Sequence, residues 1–118
     1  MATEIGGKGL AEVNLVIPQS TSLAFTIEHK DEEGNPVDHS QSTPRMAFQS
    51  KDGSTSVDLS EHCSCSAEGV SVSIPASVTT ELPVGKMVWD MIVDTQAGES
   101  LRMAYGTVSI VDTYAKDE

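Results

Sequence analysis

Apolar and polar residues alternate in several short runs along the chain, which is the pattern of β-strands with one buried face. In residues 23–29, the apolar Leu23, Phe25 and Ile27 share one face. Runs with the same alternation, or with the length of a short strand, follow at 45–49, 70–74, 87–93 and 101–105. Turn-forming residues separate the runs, and the Gly-containing loop at 96–99 predicts that the last two form a hairpin.

Two segments depart from plain alternation. Residues 74–83 contain two prolines and place Val78 and Leu82 at i and i+4, which predicts one helical turn packed over the end of a sheet. In the last run, the apolar positions are odd-numbered up to Tyr105 and even-numbered after Gly106. A one-residue shift at a glycine predicts a β-bulge there, with Tyr105 on the apolar face.

The fold class expected from this pattern is all-β. The chain has 12 valines, is rich in Ser and Thr, and lacks a sustained helical period. We therefore predict an antiparallel, Ig-like β-sandwich of about eight short strands with one helical turn. The sandwich is expected over residues 11–113, between a flexible, glycine-containing N-terminal arm (1–10) and a short charged C-terminal tail (114–118).

The net charge of the chain disfavours some classes of binding partner. The 118-residue chain has 7 Lys plus Arg against 18 Asp plus Glu, a formal net charge of −11. So acidic a protein repels the phosphate backbone, which argues against nucleic-acid binding. No apolar run approaches the roughly 18 residues of a membrane span, so no membrane partner is expected. The N-terminus lacks a signal-peptide pattern, so we expect the chain to be made in a reducing cytoplasm.

The pair Cys63 and Cys65, preceded by His62, is the first candidate for chemistry. Structural zinc pairs usually separate their cysteines by two to four residues, and no second pair completes four ligands. Residues two apart on a strand share a face, and a disulfide between them would be strained. We interpret both as free thiols that act as small apolar groups, with a metal or redox site as the alternative.

No cofactor, metal or catalytic group is expected elsewhere. The acidic segment Asp31–Asp38 lacks the ordered ligand spacing of an EF-hand loop, so it is interpreted as a solvated turn. The histidines His29, His39 and His62 stand in no recognisable Ser-His-Asp context. Trp89 is interpreted as a core residue. Asp90 is either exposed or a buried carboxylate paired with Arg102 or Arg45, and the sequence favours neither alternative.

The order of these features resembles a known module. Phe25-Thr-Ile precedes an acidic turn with Gly34-Asn-Pro-Val-Asp, and Arg45-Met-Ala-Phe, Val72–Leu82, Gly85-Lys-Met-Val-Trp-Asp and Leu101-Arg-Met-Ala-Tyr-Gly-Thr-Val follow. Over about residues 20–112 the chain is similar to the small β-sandwich module of tailed-phage virion proteins, typified by the N-terminal domain of phage upper baseplate proteins. Lys86 and the Cys-x-Cys strand depart from the family pattern. Family members usually continue into a fibre or receptor-binding region, whereas this sequence stops just after the module, so we expect a free-standing virion component.

The resemblance implies a non-catalytic structural protein of the virion. We expect a capsid decoration or stabilisation protein that docks on the assembled head, with a small tail-tip or baseplate subunit as the alternative. A carbohydrate-binding surface module is disfavoured, because the chain has only 5 aromatic residues (2 Phe, 1 Trp, 2 Tyr). The expected partners are the major capsid protein or tail and baseplate proteins, in a homo-oligomer or a lattice. The residues predicted to bind them are Ile5, Gly6, Gly7, Lys8, Gly9, Leu10, Asp31, Glu32, Glu33 and Asn35.

Overall fold

The computed structural model describes residues 11–113 in full and the backbone of residues 2–6. These residues form ten strands, one turn of α-helix and one 3-10 turn. In chain order they are β1 (Ala2–Gly6), β2 (Ala11–Glu12), β3 (Leu15–Pro18), β4 (Leu23–Lys30), β5 (Thr43–Gln49), β6 (Ser56–Asp58), β7 (Cys63–Cys65), β8 (Gly69–Ile74), α1 (Ala76–Thr79), β9 (Gly85–Asp94) and β10 (Ser100–Val111). A single 3-10 turn, Ser60–His62, leads into β7.

Two sheets pack face to face as a sandwich. The four-stranded sheet has the order β1-β4-β8-β7. The six-stranded sheet has the order β2-β10-β9-β5-β6, with β3 also paired to β10. The core between them is built from the inward face of each strand, and Phe25 of one sheet meets Trp89 of the other edge-to-face, with ring centroids 6.0 Å apart. The all-β sandwich predicted from the alternating runs is confirmed.

Several predicted elements are found at their expected places. The runs at 23–29, 45–49 and 70–74 lie in β4, β5 and β8, and the predicted helical turn is α1. The predicted hairpin is β9–β10, closed by the bond from the Thr95 N–H to the Glu99 carbonyl at 2.7 Å. The sheets are not purely antiparallel, however, because β1 runs parallel to β4 and both β2 and β3 run parallel to β10.

The β-bulge predicted at Gly106 is wrong in position. The register between β10 and β9 shifts between Arg102 and Ala104, so the extra residue is Met103. Met103 and Ala104 are consequently both buried, and Tyr105 is turned to the outer face of the sheet. The sequence conceals this shift, since Met103 and Ala104 are both apolar and either fits the inner face.

Gly106 serves a different purpose. A Cβ built on Gly106 would lie 2.1 Å from the carbonyl oxygen of Val13, in the break between β2 and β3. Across this break, Asn14 replaces the missing ladder bond, because its Oδ1 accepts the Thr107 N–H at 3.0 Å. Glycine is required here by the close approach of another strand rather than by a bulge.

The predicted N-terminal arm is partly strand. The backbone of residues 2–6 forms β1, in register with β4 from Ala2 opposite Thr26 to Gly6 opposite Lys30. An unpaired strand edge such as that of β4 readily accepts another strand, a long-range effect that a five-residue pattern does not reveal. Met1 and residues 7–10 lie outside the described residues, as does the predicted tail at 114–118.

Candidate docking surface

The acidic segment predicted to bind a partner is a compact turn directly after β4. Asp31 Oδ1 accepts the backbone N–H groups of Glu33 and Asn35, both at 2.9 Å. The Asp31 N–H donates to the Asn35 carbonyl at 2.8 Å, and the Gly34 N–H donates to the Asp31 carbonyl at 3.0 Å. This Asx-type turn fixes the backbone, while Glu32, Glu33 and Asn35 are exposed. The loop thus presents its carboxylates on an ordered frame.

A buried histidine pair anchors this loop at both of its ends. His29 ends the inward-facing row of β4 and His39 follows the loop, and their rings stack with centroids 5.1 Å apart. His29 Nδ1 lies 2.8 Å from His39 Nε2, so one ring donates and the other accepts. Burial, and next the neighbouring His29, lower the pKa of His39, which keeps it neutral at physiological pH. With 5% and 1% exposure, both imidazoles are out of reach of a substrate.

From the sequence, these histidines had no predicted catalytic or structural role. The two rings meet because the loop folds the chain back onto the end of β4. There the Val37 N–H donates to the His29 carbonyl oxygen at 2.8 Å. The one available signal was their position on either side of a turn-forming segment. Stacking of two rings ten residues apart depends on the folded loop, so spacing alone does not reveal it.

The structure brings two of the predicted partner-binding segments together. Gly6, at the end of β1, pairs with Lys30, and Asp31 follows Lys30 directly. Ile5 pairs with His29, so the end of β1 and the acidic loop occupy one corner of the four-stranded sheet. The remaining predicted residues, Gly7, Lys8, Gly9 and Leu10, lie outside the described residues.

A groove on the outer face of the six-stranded sheet was missed by the sequence. It has a volume of about 420 Å³ and lies over β10, β9 and β5, with Val88, Asp90, Arg102 and Tyr105 among its lining residues. The Arg102 guanidinium lies 4.8 Å from the centroid of the Tyr105 ring, a cation–π contact. The sequence did not predict this groove, because the bulge predicted at Gly106 placed Tyr105 on the inner face of the sheet.

Trp89 and Asp90 occupy opposite faces of β9. Trp89 is 3% exposed and belongs to the core, as predicted. Asp90 is not a buried carboxylate, since its side chain is 44% exposed, and its Oδ2 lies 3.6 Å from Arg102 Nε. Arg45 instead pairs with Asp94, at 2.7 Å from Nε to Oδ2. Of the two partners proposed for Asp90, the structure selects Arg102.

Both cysteines are free and partly buried against the core. The Cys63 thiol lies 3.7 Å from Met46 Sδ and 3.7 Å from the Leu59 carbonyl oxygen. Burial, followed by the nearby Cys65 and Asp58, raises the pKa of Cys63 to about 11. A neutral thiol in this setting is a packing group.

The described residues offer neither a metal-binding cluster nor a membrane-spanning helix. No three His, Cys, Asp or Glu side chains there are grouped closely enough to hold a metal ion. No helix of that part of the chain combines the length and apolarity needed to cross a bilayer.

Comparisons with known proteins give a match in structure. No protein-family model and no curated protein matches the sequence. Among solved structures, the chain is similar to the N-terminal domain of phage TP901-1 ORF48, with a TM-score of 0.51 and 12% sequence identity. The likeness covers 93% of this chain and 98% of that one. At this identity, the match establishes a shared fold: the sandwich described above is also the fold of a domain from a phage protein.

Proposed function

We propose that this chain is a non-catalytic structural protein of a tailed-phage virion, which docks on other virion proteins. The observation that carries the proposal is the fold shared with the N-terminal domain of phage TP901-1 ORF48 over nearly the whole of both chains. The order of motifs from Phe25 to Val108 supports it independently, because it resembles the sandwich module of virion proteins.

Within the particle, we propose that the chain decorates the capsid, with a small tail-tip or baseplate subunit as the alternative. The net charge of −11 suits the outside of a head, away from packaged DNA. The alternative is favoured by the kind of module that the sequence resembles, which is typified by upper baseplate proteins. In both cases the partners are other virion proteins.

The docking corner is proposed to be the acidic loop together with the end of β1. Glu32, Glu33 and Asn35 are exposed on a backbone that Asp31 and the His29–His39 pair hold in place. A surface that is ordered before docking has less conformational entropy to lose on binding. Its negative charge calls for a basic surface on the partner.

A carbohydrate-binding role is less well supported. Sugar-binding sandwiches use exposed aromatic rings, whereas Phe25, Phe48 and Trp89 are buried in the core. Of the aromatic residues that the structure describes, Tyr105 alone lies on the outer face, and Arg102 covers one side of its ring.

The experiment that tests the proposal is quantitative mass spectrometry of purified particles of the phage that encodes the chain, normalised to the major capsid protein. Hundreds of copies per particle would support decoration of the head. A small number, matching the symmetry of the tail, would overturn decoration in favour of a tail-tip or baseplate subunit. Absence from particles would overturn the structural role itself.

The docking corner is tested by the same assay with a matched pair of variants. Glu33→Lys reverses a charge on the acidic loop, and Glu99→Lys reverses one on the exposed turn between β9 and β10. Incorporation into particles should fall for Glu33→Lys and stay at the wild-type level for Glu99→Lys. Equal incorporation of the two variants would exclude the acidic loop as the contact.

A further inference from the structure

The exposed large apolar side chains of the described residues converge on one place. They are Val16, Val84 and Val111, with exposures of 65%, 57% and 38%. Val111 of β10 pairs with Pro18 of β3, and Gly85 of β9 pairs with Ile110. Val84 directly precedes Gly85, so it lies at the same end of the six-stranded sheet as Val111.

Val16, Pro18, Val84 and Val111 therefore form a single patch at one end of the outer face of the six-stranded sheet, here called the valine patch. All four are exposed although they come from two strands and a turn that are far apart in the sequence. Isolated surface valines are ordinary, whereas exposed apolar side chains gathered at one end of a sheet are a common feature of contact surfaces.

Opposite charges flank the valine patch. On the side toward the middle of the sheet lies Lys86, which pairs with Ser109 and forms no ion pair with any described residue. On the side toward the end of the sandwich lies the turn after α1, where Glu81 is exposed. Bonds to the chain just beyond Pro18 hold that turn there: Gln19 Nε2 donates to the Leu82 carbonyl at 2.6 Å, and the hydroxyls of Ser20 and Thr80 are 2.6 Å apart.

We propose that the valine patch binds the same patch on a second copy of this chain, in a two-fold symmetric dimer. The two-fold axis lies in the plane of contact and runs across the strands through the patch. This rotation sets the Lys86 side of one copy over the Glu81 side of the second copy, twice. The apolar strips then cover each other, and the flanking charges are complementary.

The local charge pattern is what favours a second copy over an unrelated partner. The chain as a whole carries −11, so two copies repel each other in most orientations. The flanked patch is a surface on which that repulsion is replaced by two Lys–Glu contacts. Extension of the sheet at the β3 edge beside the patch is a poor alternative, because Pro18 in β3 has no N–H to donate. The dimer does not depend on the proposed role in a virion.

The first test is the molar mass of the full chain in solution. Sedimentation equilibrium should show a monomer–dimer equilibrium between about 10 µM and about 1 mM, the range in which a contact of this modest size dissociates. Val84→Asp and Val16→Asp should each raise the dimer dissociation constant at least about tenfold, because a carboxylate would be buried without a partner. Ala97→Asp, an equal added charge on the exposed turn at the other end of the hairpin, should leave it unchanged.

Charge exchange then tests the two-fold arrangement. Lys86→Glu and Glu81→Lys should each weaken the dimer by about tenfold, since each replaces two Lys–Glu contacts with two contacts between like charges. The double variant keeps the net charge at its original value and should restore the wild-type constant. Far-UV circular dichroism checks that all variants remain folded.

Three results would overturn the proposal: a monomer throughout the concentration range, a dimer that the valine variants leave unaffected, or an assembly larger than a dimer that they dissociate. Failure of the double exchange to restore the dimer would exclude the two-fold arrangement described here.

Discussion

The indole Nε1 of Trp89 donates a 2.8 Å hydrogen bond to the carbonyl oxygen of Val13, in the break between β2 and β3. The Val13 N–H is bonded to the Tyr105 carbonyl at 2.8 Å, so both polar groups of this peptide segment are satisfied where the strand is interrupted. A core side chain thus holds the irregular part of an edge strand in place.

Trp89→Phe should destabilise the fold by about 2–4 kcal/mol, because the Val13 carbonyl loses its donor and a cavity remains beside Phe25. Urea denaturation followed by circular dichroism measures the change. Tyr105→Phe, an aromatic replacement on the outer face, should stay within about 0.5 kcal/mol of wild type. An equally small effect of Trp89→Phe would show that the hydrogen bond to Val13 contributes little.

Gly106→Ala should be among the most damaging single-methyl changes, at about 3–4 kcal/mol, because the added carbon meets the backbone of Val13. Gly85→Ala is the matched control. Its φ of 142° is close to the 159° of Gly106, but nothing lies within 4 Å of the added carbon. Gly85→Ala should therefore show only backbone strain, about 1–2 kcal/mol. Similar losses for the two variants would contradict the close approach.

Asp52 should make the stability of the fold sensitive to acid. The N–H and hydroxyl of Ser54 and the hydroxyl of Ser50 all donate to Asp52 Oδ1, and they lower its pKa to about 2. Since the folded pKa lies below the unfolded value of 3.8, the stabilisation is complete above pH 3.8 and is lost as the pH falls toward 2. In thermal melts, Asp52→Asn should lie below wild type at neutral pH and converge with it by about pH 2. A constant gap between the two proteins across that window would refute this account.

The Cys63 thiol should resist alkylation. A pKa of about 11 leaves little thiolate at neutral pH, so iodoacetamide should react about two orders of magnitude more slowly than with an unperturbed thiol. The Cys65→Ser variant isolates Cys63 for this measurement, and the same protein in denaturant gives the reference rate. A native rate equal to the denatured one would mean that Cys63 is neither buried nor raised in pKa.

The sequence predicted the sandwich because strand alternation is local: Phe25 and Ile27, or Trp89 and Met91, lie on the inner face by their spacing alone. It misplaced the bulge because the role of Gly106 depends on Val13 and Asn14, 93 and 92 residues earlier. Contacts at that separation leave no periodic trace in the chain.

The features of the candidate site likewise fall into those that the sequence predicts and those that only the folded structure reveals. The exposed acidic turn is a local feature, and its composition predicts it. The His29–His39 pair, the groove beside Tyr105 and the valine patch each need strands or loops from separate parts of the chain to meet. Their residues have no shared spacing, so the structure had to reveal them.

The parallel pairing of β3 with β10 also has a mechanical consequence. Val108 pairs with Leu15 and Val111 with Pro18, so the early strand and the last strand point the same way. Tension applied between residue 11 and residue 111 would pull these strands along their length in opposite directions and load the ladder bonds together rather than one after another. Such a shear geometry resists force better than an antiparallel hairpin pulled open from its end.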